Sequence, residues 1–357
     1  MSILLQPNKI IDRALGMAFG TAVGDAMGIP FENLIPEQIA EIQMSLNKNE
    51  SLFINAAGRN PYIPKEWPTG RWGDATQLSL AIMHAIAKHL CDDAEKTPLI
   101  TSIVDEHVLE WWDCTDGWST GTKNAIERIA QGSYSYCNSG GSSTGNGVIM
   151  KLTPLAFFFH VCDINIDDKL VETICRMTHV SPVTIVTALI YVYLCVFIFK
   201  HDLPSSDVER KAFLLYVRQL SVQYECKYNL VTEKDLLSIR IHRFLENFHE
   251  INNDLLLDVS HGGTFFCVDT LSMVIGLVAA ERVTFETLEK AIQMGGDTNI
   301  IAAMIGALLG ATQGQQAIDK RRAEIVFRSD YIRQIGEEFG QALVHHLNLL
   351  PSCSQTM

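Results

Sequence analysis

The sequence predicts an all-α fold, a compact single-domain assembly of many helices with its loops gathered on one side. Three observations carry this. Apolar residues recur at helical spacing along most of the chain, while alternating strand patterns are few and no repeat of roughly 20–50 residues is present. Glycine and alanine stripes at four-residue spacing mark helices that pack closely. At 357 residues, 47% of them hydrophobic and 19% charged, the chain is long enough to bury a large core. The domain is expected to take in residues 1–357, with its core at about 10–348 and a flexible tail at 350–357.

Lysine and arginine total 28 against 41 aspartates and glutamates, a net charge of −13. This acidic balance argues against non-specific nucleic-acid binding and against adhesion to anionic membranes. The nine cysteines include no CxxC pair and read as reduced thiols. No basic segment followed by an apolar stretch opens the sequence. A cytoplasmic location is the expectation, and a secreted effector working in a host-cell cytosol would carry the same features.

Taken in order, Ile10 to Pro30 reads as a helix with Gly16, Gly20, Gly24 and Gly28 on one face, so that a second helix can pack against it. Asp25 lies within this stretch and Glu32 just after it. A buried carboxylate without a partner is expensive. Both acids are expected to face a cation, a donor cluster or a wet cleft, unless Asp25 caps a neighbouring helix. Residues 44–71 are polar and interrupted by Pro61, Pro64 and Pro68, a long loop of the kind that tends to be functional. It ends at Asp74, where an apolar helix from about Ala75 to Leu90 begins.

Glu106–Trp112 and Asn124–Ile129 are helical in pattern, with the turn Asp113–Thr122 between them. Ser133–Gly147, SYSYCNSGGSSTGNG, runs into an apolar stretch, Val148–Phe159, expected to be a helix. A Gly/Ser/Asn loop feeding a helix can cradle a phosphate on bare backbone N–H groups, and it can equally be a plain connector. It is not a Walker loop, because no GK[ST] follows. His179, at a helix boundary, reads as structural or as catalytic. Val183–Phe199 is an apolar stretch 17 residues long, at the short limit for a membrane span, and reads as a buried central helix. Residues 205–260 form amphipathic scaffold helices. His261–Thr270 turns on glycines into an apolar helix that ends near Ala280. In Met294–Ala311 the pair Gly295–Gly296 precedes Asp297 at an N-cap position, and a helix of small residues follows. Ile325–Leu350 is the last helix. Two helices beginning with Asp74 and Asp297 can bring their N-termini to one point, where helix ends favour anions and carboxylates hold a hard cation.

These motifs, in this order, resemble the ADP-ribosylglycohydrolases. GMAFGTAVGDAMGIPFE resembles the family's opening GxxxGxxxGDAxGxxxE, and RWGDATQLSL its W-T-D-D-T motif. STGNGVIMKLTPLA is similar to GNGxxMRxxP, and THVSP to THxxP. VDTL and GGDTNIIAAMIGALLGA fit the last two blocks, the second usually GGDTDT. The resemblance implies an all-α fold and hydrolysis of the bond between ADP-ribose and a protein side chain, often arginine, with two magnesium ions. Carried over by position, it implies Glu32, Asp74 and Asp297 as catalytic residues. Asp25, Ser143, Thr144, Gly145, Asn146, Gly147 and His179 are then substrate-binding, with the pyrophosphate against residues 143–147. The implied metal ligands are Asp74, Thr76, Asp297 and Asn299.

The chain also departs from the pattern. Gly73 stands where the family has threonine, Ala75 at the position of the second aspartate, Asn299 at another aspartate and Ile300 at a threonine. The loss of two carboxylates should weaken a magnesium site of one or two ions, with Ala75 at a vacated ligand position that borders the cleft. The implied partner is ADP-ribosylated protein or ADP-ribose. Arginine is the favoured side chain, with serine and small molecules left open. The alternatives are a catalytically lost module that binds ADP-ribose or ADP-ribosylated protein, and a structural protein like the family's crystallin-like members.

Overall fold

Sixteen α-helices form among the described residues of the computed structural model, which are 6–45, 52–57, 60, 63–91, 97–230 and 236–349. The tail expected at 350–357 and parts of the 44–71 loop lie outside them. No strand forms there, only two isolated bridges, Gly141 with His179 and Gly145 with Phe266.

The chain opens with α1 (Pro7–Gly28), started by Pro7 at its first turn, and α2 (Pro36–Ser45). Next come α3 (Asp74–Cys91), α4 (Leu99–Asp113) and α5 (Thr120–Ala130). The turn between α4 and α5 is shorter than the sequence suggested, because the Ser119 hydroxyl accepts from the Thr122 N–H and starts the helix early. No helix begins at Val148. A short 3₁₀ turn, Ile149–Lys151, intervenes, and α6 spans Thr153–Val161. Pro154 lacks an N–H, so the helix can only start around it. The loop at 133–147 therefore does not feed directly into a helix N-terminus.

The scaffold continues with α7 (Asp168–Arg176), α8 (Pro182–His201), α9 (Asp207–Lys227), α10 (Leu237–Glu246) and α11 (Asn253–Val259). The last five helices are α12 (Cys267–Ala280), α13 (Phe285–Gln293), α14 (Thr298–Gln313), α15 (Lys320–Ile325) and α16 (Ser329–Leu349). The expected closing helix starts at Ser329 and not at Ile325, because Arg328 takes a φ of +55°, and the short α15 precedes it. Both α1 and α8 are long and apolar enough to cross a membrane, and each is mostly buried inside the protein. Such helices are read as core when other elements cover them.

The axis of the fold is the antiparallel contact of α1 with α14. A Cβ on Gly16 would lie 2.6 Å from the Gly310 carbonyl oxygen, one on Gly20 2.1 Å from that of Gly306, and one on Gly24 2.3 Å from that of Ala302. Helix-interior glycine costs about 1 kcal/mol each relative to alanine, and here it lets two backbones touch. The consequence is positional: the C-terminal end of α1, with Asp25 and Glu32, is held against the start of α14, with Asp297 and Asn299.

Candidate functional site

A cavity of about 430 Å³ opens where the N-terminal ends of α3, α5 and α14 converge. Gly295 and Gly296 turn the chain into α14 at φ values of +76° and +71°. A Cβ on Gly296 would sit 2.1 Å from the Gly262 carbonyl oxygen, so only glycine fits against the 261–266 loop. Asp297 does occupy the N-cap position, but its side chain makes no capping bond to α14. Its Oδ2 instead accepts from Asn146 Nδ2 at 2.6 Å, and its buried Oδ1 has no partner. Asn299, two residues on, likewise has a buried Oδ1 without a partner. Both residues line the cavity with Asp74 and Glu32. Glu32 is anchored by Asn60 Nδ2 at 2.6 Å, and Asp74 Oδ2 faces the Ser119 N–H at 3.4 Å.

The structure places other expected site residues away from the cavity wall. Asp25 is wholly buried beneath it. Its Oδ2 accepts from the Gly73 N–H, the Thr76 N–H and the Thr76 hydroxyl, at 2.9, 3.0 and 2.7 Å. Asp25 is therefore the cap of α3, not a substrate-binding residue. The Thr76 hydroxyl is spent on that bond and does not reach the cavity, which corrects its expected place among the metal ligands. Ala75 is also wholly buried and belongs to the apolar core, so it does not border the cleft. Successive helical residues turn by about 100°, so the position after Asp74 points into the protein.

Of the glycine-serine loop, Asn146 and Gly147 line the cavity and Ser143, Thr144 and Gly145 do not. Ser143 is exposed and Thr144 and Gly145 are half-buried; the Thr144 carbonyl accepts from the Cys267 N–H and the Ser143 hydroxyl accepts from the Gly145 N–H. His179 is buried, with Nδ1 2.9 Å from the Thr178 hydroxyl. Burial, then the charge of Lys151, pushes its pKa down to about 4. A neutral ring results, and a Cβ on Gly147 would lie 3.3 Å from its Cε1. His179 thus backs the loop and makes no part of the wall. The sequence reading missed Gly117, Trp118, Ser119, Thr120 and Phe265, all of which line the cavity. The glycine and serine just before α5 are helix-start signals that would have found the first group.

The acids raise one another. Burial pushes Asp74 up to about 7, with Asp25 and Glu32 adding to it, and Asp25 up to about 6. Burial and the charge of Glu32 hold Asp297 well above the usual carboxylate range, and burial raises Glu32 as well. Such a cluster gains from a cation. The donors are all oxygens, the chemistry of a hard cation, and two of them are buried without a partner. Among the described residues, no three of the His, Cys, Asp and Glu side chains stand close enough to hold a metal by themselves. The residues fit a magnesium ion that keeps several waters, not a closed protein cage.

The sequence profile of the ADP-ribosylglycohydrolase family matches residues 6–348. An uncharacterized protein of Archaeoglobus fulgidus is 25% identical over 82% of this chain and 85% of its own length. The ADP-ribosylarginine hydrolase Tri1 of Serratia proteamaculans is 21% identical over 94% of this chain and 81% of its own. A solved chain described as an ADP-ribosylglycohydrolase-related protein complex superposes with a TM-score of 0.63, at 21% identity over 94% of this chain and 99% of that one. The all-α architecture read from the sequence is the fold of that structure, and the chain belongs to the ADP-ribosylglycohydrolase family.

Proposed function

We propose that the protein is a magnesium-assisted hydrolase that removes ADP-ribose from modified protein side chains, arginine favoured. Family membership supports hydrolysis of an ADP-ribosyl bond. Arginine is favoured because Tri1 carries that activity in its name. The observation that carries the reading is the pairing inside one cavity of cation-seeking oxygens, on Asp74, Asp297 and Asn299, with the anion-seeking N-terminus of α5.

Cleavage at C1″ of ADP-ribose passes through an oxocarbenium-like transition state. In this reading the free Oδ1 of Asp297 offsets that positive charge, and Glu32, its pKa raised by burial, takes the proton of the attacking water. The Asn146 side chain orients the Asp297 carboxylate through the 2.6 Å bond. The Gly147 backbone and the Ser119–Thr120 end of α5 receive the pyrophosphate. Magnesium, held by Asp74, Asp297 and Asn299, would orient the ribose hydroxyls and polarise the water. A binding-only role is the second reading, favoured by alanine and asparagine at positions 75 and 299, where the family pattern has aspartates. Release of ADP-ribose from an ADP-ribosylarginine protein, with magnesium and with a chelator, tests the two. Release should occur, stop on chelation and vanish in Asp297→Ala; tight ADP-ribose binding without any release would establish the binding module.

A further inference from the structure

Gln77 lies one helical turn after Asp74 on α3, so the two share a helix face. It is buried, and every polar atom of its side chain is used. Nε2 donates to Glu110 Oε2 at 2.7 Å and to the Cys114 carbonyl at 2.9 Å. Oε1 accepts from the indole Nε1 of Trp118 at 2.8 Å. The direction of this chain of bonds is set by chemistry: an indole N–H can only donate, so the oxygen of Gln77 must face it and the amide must face the two acceptors. Trp118 and its neighbour Gly117 form one wall of the cavity. Gly117 has a φ of +80° and packs on Trp67, whose ring lies 4.2 Å from the Arg71 guanidinium. The Trp118 N–H bonds back to Thr115.

We propose that Gln77 is a positioning residue of the ADP-ribose site: it ties the Trp118 wall to the same turn of α3 that carries Asp74. The inference rests on the functional reading above. An amide is required because glutamate at this position would set carboxylate oxygens against the Glu110 carboxylate and the Cys114 carbonyl, three acceptors with no proton among them. The wall would then swing away from Asp74, although no residue contacting ADP-ribose had changed.

The test compares Gln77→Glu with the exchanged pair Gln77→Glu/Glu110→Gln, which restores a donor between positions 77 and 110 and keeps the net charge of the wild type. Two quantities are read: ADP-ribose affinity by calorimetry, and the emission of Trp118, taken as the difference between each protein and its Trp118→Phe counterpart. Gln77→Glu should weaken ADP-ribose at least tenfold and make Trp118 more open to acrylamide quenching, and the exchanged pair, which regains the 77–110 bond but not the bond to the Cys114 carbonyl, should recover part of both losses. Unchanged quenching, or unchanged affinity once Trp118 has moved, overturns the proposal, as does a loss that the pair does not recover. Gln77→Met, which keeps the volume and removes both sets of bonds, replaces Gln77→Glu if that variant does not fold. If the wild type binds no ADP-ribose, the functional reading fails, while the quenching comparison still decides whether Gln77 holds Trp118.

Discussion

Gly28→Ala is the sharpest probe of how the fold sets the site. A Cβ at position 28 would lie 2.3 Å from Asn299 Cα, 2.4 Å from its N and 2.6 Å from the Thr298 carbonyl carbon. Unbonded carbon atoms sit best about 3.5 Å or more apart, so the start of α14 must retreat by up to about 1.2 Å. Backbone cannot rotate out of the way as a side chain does. The retreat carries Asp297 and Asn299 with it, and a misplacement of about 1 Å costs roughly a hundredfold in rate. Overpacking of this kind costs about 1–3 kcal/mol of stability. ADP-ribose release under saturating magnesium, with the melting temperature measured alongside, gives both numbers. Gly121→Ala is the control, because nothing lies within 4 Å of its added Cβ; it should keep full activity and melt no lower than the wild type. If Gly28→Ala releases ADP-ribose at the wild-type rate, the claim that the α1–α14 contact fixes the acid cluster is wrong.

Three further outcomes are expected. Gly147→Val should weaken ADP-ribose binding at least tenfold, about 1.4 kcal/mol, because a Cβ there meets the Thr122 hydroxyl at 3.1 Å and His179 at 3.3 Å; unchanged calorimetric affinity would remove this loop from the ligand site. Ala75→Asp should lower the stability of the metal-free protein by about 3–5 kcal/mol, since the carboxylate enters the core beside other acids, and scanning calorimetry should show magnesium raising its melting temperature no more than that of the wild type. A larger magnesium shift would mean that position 75 does reach a metal. Lys151 is wholly buried with Nζ 3.0 Å from His107 Nε2, and burial lowers its pKa from 10.5 to about 8. Between those values the unfolded chain binds the proton that the folded one has lost, so stability rises with pH across this window. Measured by denaturant unfolding against Lys151→Met, the wild type should gain up to about 3 kcal/mol from pH 8 to 10.5, and a flat difference would show that the ammonium is not desolvated.

Features that depend on near neighbours were legible in the sequence. The glycines of α1 announced a close helix contact, because a four-residue stripe has no other effect on a helix face. Gly295 and Gly296 announced the left-handed turn into α14, and the helices beginning at Asp74 and Asp297 gave the place where the site would form. Their convergence could be expected from the shared preference of helix N-termini, and it is at this convergence that the cavity lies.

What each side chain does there depends on partners far away in the chain. Asp25 and Asp74 look alike in sequence, both acids next to small residues. One is consumed as the cap of a helix begun 48 residues later, at Gly73, and the other lines the cavity. Asp297 sits at an N-cap position and yet turns its carboxylate to Asn146, 151 residues earlier. Ala75 and Thr76 follow Asp74, which lines the cavity, but rotate into the core and onto Asp25, because a helix turns by about 100° per residue. Trp118 and Phe265 reach the cavity only because α4, α5 and the 261–266 loop are folded against it. The sequence by itself thus indicated most of the helices and which faces can touch, while the starts of α5, α6 and α16 were set by Ser119, Pro154 and the turn at Arg328. Only the tertiary structure decided which oxygens remain free for a ligand, since a hydrogen bond is claimed by whichever partner the packing brings within about 3 Å.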